Sequence, residues 1–397
     1  MDANPGSLVV LGAETLGKAA AVKQFKKAAM VVEKMLQKIQ LCQDAQVELV
    51  LQRACLSVAK VNHLLRANGV DLLESQDDEG KNCLEEFDEL QVSAIRRLVP
   101  GLTALGQEQA LRAAGLGGLG LRSAFRQAAA ANLASLIMAR PKVAYRAEAA
   151  EAAGLFSKEL AVCQHDAEIM RAFEAVKACL RPEDVESTMQ LLDGAVTRAQ
   201  ADWQCVVAGK PTTQAQAPRM RGEVASQESG GLQDQVQRAI LERGHLRSEP
   251  NELGAVVSGV QASAEHLQRE LAFAVEMAAM EPFLARVEQQ DGRAARRLAE
   301  LLDPGTCHEW LWKINPREGS RLCEWDFEIC LATRLGADVV ASDQLCKLCG
   351  EDLDGTATHA LCCAKAASTR GHYAVVAAVR WNGHHRPWHP ARGQGVV

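Results

Sequence analysis

Apolar residues recur along most of this chain at alternating steps of three and four, the spacing that gathers them on one face of an α-helix. The opening apolar run, Ser7 to Gly12, predicts one strand or a buried extended segment with no partner nearby. From Gly17, Val22, Phe25, Ala29, Val32, Leu36 and Ile39 predict a first helix, with Lys23, Lys26, Lys27, Lys34 and Lys38 largely off its apolar stripe. A second helix is predicted from Asp44, whose side chain can cap it, with Val47, Leu51, Ala54, Val58, Val61 and Leu65 on one face. Two such helices with a short connection pack as an antiparallel pair. A third runs from Leu84 to about Leu98 and stops at Pro100-Gly101. An Ala-rich helix from Arg122 to Met138 has side chains small enough for close packing. Helical sequence resumes from about Ala147 to Val207 and again from Leu232 to Leu302, densest in apolar residues between Leu267 and Phe283.

The breaks divide the chain. Asp71 to Asn82 is acidic and contains glycine, so Asp77-Asp78 reads as a solvated loop rather than a metal-binding pair. Glu85-Glu86 and Glu183-Asp184 open helices, where negative charge suits the helix dipole. Gly115-Leu-Gly-Gly-Leu-Gly120 matches G-x-G-x-x-G, but that dinucleotide motif needs a preceding strand and an acidic residue about 20 positions on. Here a helix-forming stretch precedes it and Arg140-Pro141-Lys142 lies downstream, so the glycines are read as a tight turn. The Pro-, Gln-, Ser- and Gly-rich stretch 210–231 marks a linker. The organisation predicted is a helical domain over 1–150, a helical extension over 151–209, the linker, a second helical segment over 232–302, a small module over 303–380 and a basic tail over 381–397.

Composition agrees with the periodicity. Hydrophobic residues make up 48% but aromatics only 4%, so Ala, Leu and Val carry the burial and helix is favoured over strand. The fold class expected is mainly α, a helical bundle with a second helical segment and a C-terminal module. The formal charge of −6 excludes an evenly basic nucleic-acid binder, yet no Asp or Glu follows Ala364, while Lys365, Arg370, Arg380, Arg386 and Arg392 do. Such a tail suits phosphate contacts, or is a solvated end. Thirteen cysteines in a long chain without an opening signal segment point to a reducing, intracellular compartment, nuclear or cytoplasmic. Cys42, Cys55, Cys83, Cys163, Cys179 and Cys205 fall in helix-like stretches and read as small core residues. No uncharged apolar run approaches ~18 residues, so no membrane span is expected.

One stretch implies specific chemistry from spacing alone. Cys346-Lys-Leu-Cys349, followed by His359-Ala-Leu-Cys362-Cys363, can supply four soft ligands to one tetrahedral zinc ion. Cys346, Cys349 and His359 are three of the ligands, and the fourth is Cys363 or Cys362. His372 is a further possibility, with packing or phosphate contact its other reading. The H-x-E and P-C-x-x-C of a zinc deaminase and the H-E-x-x-H of a zinc protease are both missing. A closed four-ligand site is structural. The His384-His385-His389 cluster reads at most as a weak metal site. Beyond the cysteines, Lys365, Arg370, Arg380 and Arg386 interleave with Tyr373, Trp381 and Trp388, a mixture in which cations neutralise phosphates and aromatic faces stack on unpaired bases.

Short motifs together resemble a known family. Gly117-Gly-Leu-Gly-Leu-Arg-Ser-Ala124, with Leu133-Ala-Ser135 after it, resembles a stretch just beyond the polymerase core of non-LTR (LINE-like) retrotransposon reverse transcriptases. Val9-Val-Leu-Gly12 resembles the entry to the thumb there, although Glu14-Thr15 departs from the usual proline-containing continuation. Asp303-Pro-Gly305, Trp310-Leu311, Phe327 and Arg334-Leu-Gly336 resemble the segment leading to that family's zinc knuckle. Cys346-x2-Cys349, Asp354, His359-Ala-Leu-x-Cys363 and Arg370-x-His372 resemble the knuckle itself, and this spacing favours Cys363 as the fourth ligand. The resemblance implies a thumb-like helical domain over 1–150, a knuckle within 303–380 and zinc as cofactor. The lysine face of the first helix then adds a second contact to a nucleic-acid backbone. No aromatic-x-Asp-Asp turn occurs, and no strand with spaced carboxylates follows the knuckle. The expectation is therefore a retroelement-derived, non-catalytic fragment that binds RNA or DNA through its knuckle and basic region. The alternatives are a helical scaffold with a purely structural zinc module, or a decayed reading frame.

Overall fold

A computed structural model describes residues 9–10, 13–14, 17–74, 78–155, 157–207, 259–290, 292–303, 306, 308–312, 322, 324–339, 345–346, 349–352 and 355–356. The protein is mainly α. In chain order the helices are α1 (Lys18–Ile39), α2 (Ala45–Leu51), α3 (Val58–Leu73), α4 (Glu79–Leu98), α5 (Ala104–Ala110) and α6 (Ala124–Ala152). They are followed by α7 (Lys158–Lys177), α8 (Pro182–Val207), α9 (Gly259–Gln290), α10 (Gly292–Leu302) and α11 (Glu324–Leu335). Ahead of them β1 (Val9–Val10) and β2 (Ala13–Glu14) pair antiparallel. The opening run therefore folds back on its own next residues, where a single unpartnered strand was expected.

The apolar stripe of α1 buries Val22, Phe25, Val32 and Leu36 against α3, α4 and the start of α6, with Phe25 and Phe87 packed edge to face at 5.7 Å. Small residues set the closest crossing: a Cβ on Gly69 in α3 would sit 2.1 Å from the Ala128 carbonyl of α6. The Ala-rich helix thus packs as closely as its composition predicts. On its other side α6 shares a core with α7, α8 and α9, through Leu133, Ile137, Phe173, Val176, Leu192, Leu267 and Leu271. Residues on both sides of the 210–231 stretch therefore bury one another.

Two further cores meet at the glycine turn. Leu116 packs with Phe283, Leu284 and Val287 of α9 and with Leu298 and Leu302 of α10. Leu119 and Leu121 pack with Leu49, Ile95, Leu311, Phe327 and Leu335. Complete burial of each such leucine stabilises the fold by roughly 1.5–3 kcal/mol. This loop thus joins the N-terminal helices to residues 309–312 and 324–337.

Three expectations need correction. The helix from Asp44 is capped as expected, the Asp44 carboxylate accepting from the Val47 N–H at 2.9 Å. It does not run on, however: residues 52–56 form a π turn and Ser57 is extended, with ψ −157°. Apolar burial follows Ala45, Leu49 and Leu56 before the break and Val58, Val61 and Leu65 after it, while Ala54 is exposed. The wider turn shifts the helical phase, so a single stripe through Val47, Leu51 and Ala54 is wrong. The Ala-rich helix begins two residues later than expected, with Ser123 as cap, and continues through Pro141 to Ala152. Around that proline it is braced by α7, through the bidentate Arg140–Asp166 pair and His165 Nε2, which lies 2.9 Å from the Leu136 carbonyl oxygen. Among the cysteines, Cys83 is buried, but Cys42, Cys55, Cys163 and Cys179 are exposed, because each lies on the outer side of its turn or helix. The side chain of Cys205 lies outside the described residues.

Candidate zinc and nucleic-acid site

The first half of the predicted zinc site is a short hairpin. Leu345 and Asp352 form an antiparallel bridge, the Cys346 N–H donates to the Glu351 carbonyl at 2.7 Å, and the Gly350 N–H donates to the Cys346 carbonyl at 2.8 Å. The last bond draws the ends of the Cys346-to-Gly350 stretch together, with Cys346 and Cys349 at i and i+3 within it. Gly350 has φ +79°, a conformation that costs a non-glycine residue about 1–2 kcal/mol, and no neighbour lies near where its Cβ would be. Glycine is thus there for the backbone, to close the turn just behind the second cysteine. Cys346 is buried and Cys349 half-buried. Two cysteines three residues apart within one short hydrogen-bonded stretch fit the first pair of a tetrahedral thiolate site. The module is tied to the helical body where the Val339 N–H donates to the Gly355 carbonyl at 2.7 Å.

The other predicted site residues lie outside the described residues: His359, Cys363 and the competing Cys362, together with Lys365, Arg370, His372, Tyr373, Arg380, Trp381 and Arg386. The structure therefore places two of the four ligands and none of the basic region.

Motif residues far apart in sequence are brought together at the glycine turn. Arg334, 3% exposed, enters it from α11. Its Nη2 donates to the carbonyls of Ala114 (2.8 Å) and Gly118 (2.9 Å), its Nε donates to Gly118 (3.1 Å), and its Nη1 lies 3.2 Å from His308 Nδ1. Gln109 donates from one amide nitrogen to the carbonyls of Gly117 and Arg334, both at 2.9 Å. A Cβ on Gly118 would lie 2.3 Å from the Arg112 carbonyl oxygen, so that position is closed to any side chain. The N–H groups of residues 116–120 all donate to carbonyls between Ala110 and Ala114. None is left to cradle a phosphate, and a helix precedes the turn, so the G-x-G-x-x-G match makes no nucleotide site.

After the turn, Ser123 caps α6 by accepting from the Arg126 N–H, and its hydroxyl donates to the buried carboxylate of Asp88. The Ala124 N–H also donates to Asp88, at 2.7 Å. Burial pushes the Asp88 carboxyl up to about 6, against the opposing pull of these hydrogen bonds. Nearby, burial and the neighbouring Arg126 bring the Arg112 guanidinium down to about 10, still protonated at neutral pH.

The lysines of α1 sort into two sets. Lys18 pairs with Glu74 and Lys26 with Glu79. Lys23, Lys27, Lys34 and Lys38 are exposed and make no ion pair among the described residues. At about 100° per residue these four fall within an arc of about 60°, opposite the buried stripe, and extend about 22 Å along the helix. Exposed Met30, Val31 and Met35 flank them. On the α4 side of this ridge lies a groove lined by Glu33, Glu85, Glu86 and Glu89 together with Lys26, so its carboxylates outnumber its one cation among the described residues.

A second basic surface has no local sequence motif. Arg53, Arg66, Arg122 and Arg269 line a concavity of about 620 Å³ between the π turn, α3, the glycine turn and α9, and no carboxylate lines it among the described residues. Sequence reading missed it because its arginines come from four separate segments. The available signal was Arg122, a charged residue between a glycine turn and a helix cap. No helix among the described residues is long and apolar enough to cross a membrane. Comparisons with protein-family models, with curated proteins and with solved structures find no match to this chain.

Proposed function

We propose that this stretch of chain is a retroelement-derived, non-catalytic nucleic-acid-binding fragment with a structural zinc module. The observation that carries the reading is the outward face of α1. Four lysines without carboxylate partners among the described residues lie along one line on a protein of net charge −6, while the two lysines off that line are paired. Such a row suits a polyanion whose phosphates displace counterions one by one. The convergence of Gly118, Leu119, Leu121, Leu311, Phe327 and Arg334 supports the family resemblance, because it gives those separated motifs one shared structural reason to occur together. In this reading Cys346, Cys349, His359 and Cys363 hold zinc, with Cys362 the competing donor. Zinc there supplies a closed cross-link, without the open coordination position that catalysis requires. Lys365, Arg370, His372, Tyr373, Arg380, Trp381 and Arg386 extend the binding surface to RNA or DNA.

The test uses the full chain, purified without added metal, with a fluorescent single-stranded oligonucleotide. Zinc content of about one per chain is expected, lost in Cys346→Ser/Cys349→Ser. Replacing Lys23, Lys27, Lys34 and Lys38 with Gln reduces the slope of log K against log salt by about 3, at about 0.7 per single-strand phosphate contact. A protein that binds no oligonucleotide, or one in which these lysines leave the slope unchanged, contradicts the reading. A helical scaffold with a purely structural zinc module is the second reading, favoured by the exposure of Met30, Val31, Met35 and Leu41. It predicts protein association that is insensitive to salt.

A further inference from the structure

The arginine-lined concavity is built, and its construction is costly. Arg53 belongs to the π turn, a wider helical turn that recurs at functional sites. Its guanidinium lies 4.0 Å from the centroid of the Trp312 ring and against Gly120, where an added Cβ would come within 2.8 Å of its Nε. The position is therefore reserved for that side chain. Arg66 is oriented by Gln268, which accepts from its Nε at 2.7 Å and in turn donates to Asn62 at 2.7 Å. Arg122 has φ +65°, left-handed backbone that a non-glycine residue adopts only when its surroundings impose it. Its side chain makes no ion pair or hydrogen bond among the described residues. Glycine would relieve the strain at that position, yet an arginine occupies it, facing three others across a surface that no carboxylate lines among the described residues. Arg122 and Arg269 thus present positive charge to the cleft, where an external anion can meet it.

We propose that this cleft binds the phosphodiester backbone of a single-stranded nucleic acid. The inference rests on the nucleic-acid reading above and assigns it a second, concave contact surface. Four separated guanidiniums in an open cleft of about 620 Å³ suit successive phosphates of one strand better than a single small anion. A nucleoside triphosphate is disfavoured because the amides of the glycine turn are already committed to carbonyls. A duplex, convex and stiff, reaches only the rim. The side-chain amides of Asn62 and Gln127 at the wall offer neutral groups to sugars and bases without selecting a sequence.

The experiment measures anisotropy of fluorescein-labelled oligothymidylate and oligouridylate with the full chain, in parallel with thermal unfolding. Arg122→Gln/Arg269→Gln weakens binding about tenfold and lowers the salt slope by about 1.4, two contacts at about 0.7 each. Arg122→Gly binds more weakly while melting at a higher temperature than the wild type, opposite signs that a structural arginine does not give. Bound oligonucleotide protects Arg122 and Arg269 from phenylglyoxal, whereas exposed Arg146 on α6 stays reactive. If the wild type binds but both variants bind equally well and no protection is seen, the cleft assignment is overturned and the nucleic-acid reading stands. If the wild type binds neither oligonucleotide, both fall.

Discussion

The two sides of the glycine turn use the same residue type for opposite purposes. On one side Arg334 is buried, and its guanidinium is spent on the carbonyls of Ala114 and Gly118. On the other, Arg122 is half-exposed, held in a left-handed conformation, and lines a concavity that has no carboxylate among the described residues. Both belong to motifs that prompted one family resemblance, yet only the environment separates a structural clamp from a ligand-facing cation. A buried guanidinium with its donors satisfied locks the C-terminal segment onto the bundle. One with room around it and no acceptor remains available to an external anion. The same sorting is seen along α1, where paired and unpaired lysines occupy different faces and an acidic groove lies on the α4 side. A net charge of −6 is thus an average over surfaces that differ in sign.

The contrast breaks most visibly at Arg334. Arg334→Ala strands three buried hydrogen bonds and is expected to cost about 3–5 kcal/mol in urea unfolding. Arg334→Lys does not restore the loss, because one ammonium nitrogen replaces a planar fork whose Nε, Nη1 and Nη2 are all engaged. Asp88, beneath the Ser123 cap, provides a pH test of the same junction. Its folded-state value, about 6, lies above the ordinary 3.8, so the folded protein holds the proton more tightly than the unfolded chain. Its contribution to stability is full below about pH 4 and declines as pH rises through 6, by about 3 kcal/mol in total. In Asp88→Asn that component of the stability-versus-pH profile is flat, and a difference profile of the two proteins isolates it.

Smaller effects sharpen the other side. Gly120→Ala at φ +80° is expected to cost about 1–2 kcal/mol and to displace Arg53 from Trp312, measurable by thermal unfolding and by the near-ultraviolet signal of tryptophan. Arg269→Gln, on the exposed rim of the cleft, should change stability by less than about 0.5 kcal/mol. If it proved as destabilising as Arg334→Ala, the distinction between clamp and ligand-facing arginine would be lost.

The helices were legible because local signals and tertiary packing agree. The stripe of α1, the Asp44 cap and the apolar density of Leu267 to Phe283 appear in the structure where the periodicity puts them. The break at 52–57 was not legible, since a π turn keeps helical composition and changes only the phase of burial. Extension of α6 through Pro141 was hidden for a related reason: Asp166 and His165 of α7, remote in sequence, brace that stretch. Of the candidate sites, the Cys346 and Cys349 pair comes from local spacing, whereas the cleft draws Arg53, Arg66, Arg122 and Arg269 from segments that only the fold brings together.

The most direct test of the account is the salt dependence of oligonucleotide binding by the unmodified full chain. With the four lysines of α1 and the cleft arginines engaged, log K falls against log salt with a slope of about −4 or steeper, for RNA and DNA alike. A slope near zero, or no binding at low salt, would contradict a phosphate-directed surface and leave the helical scaffold as the better description.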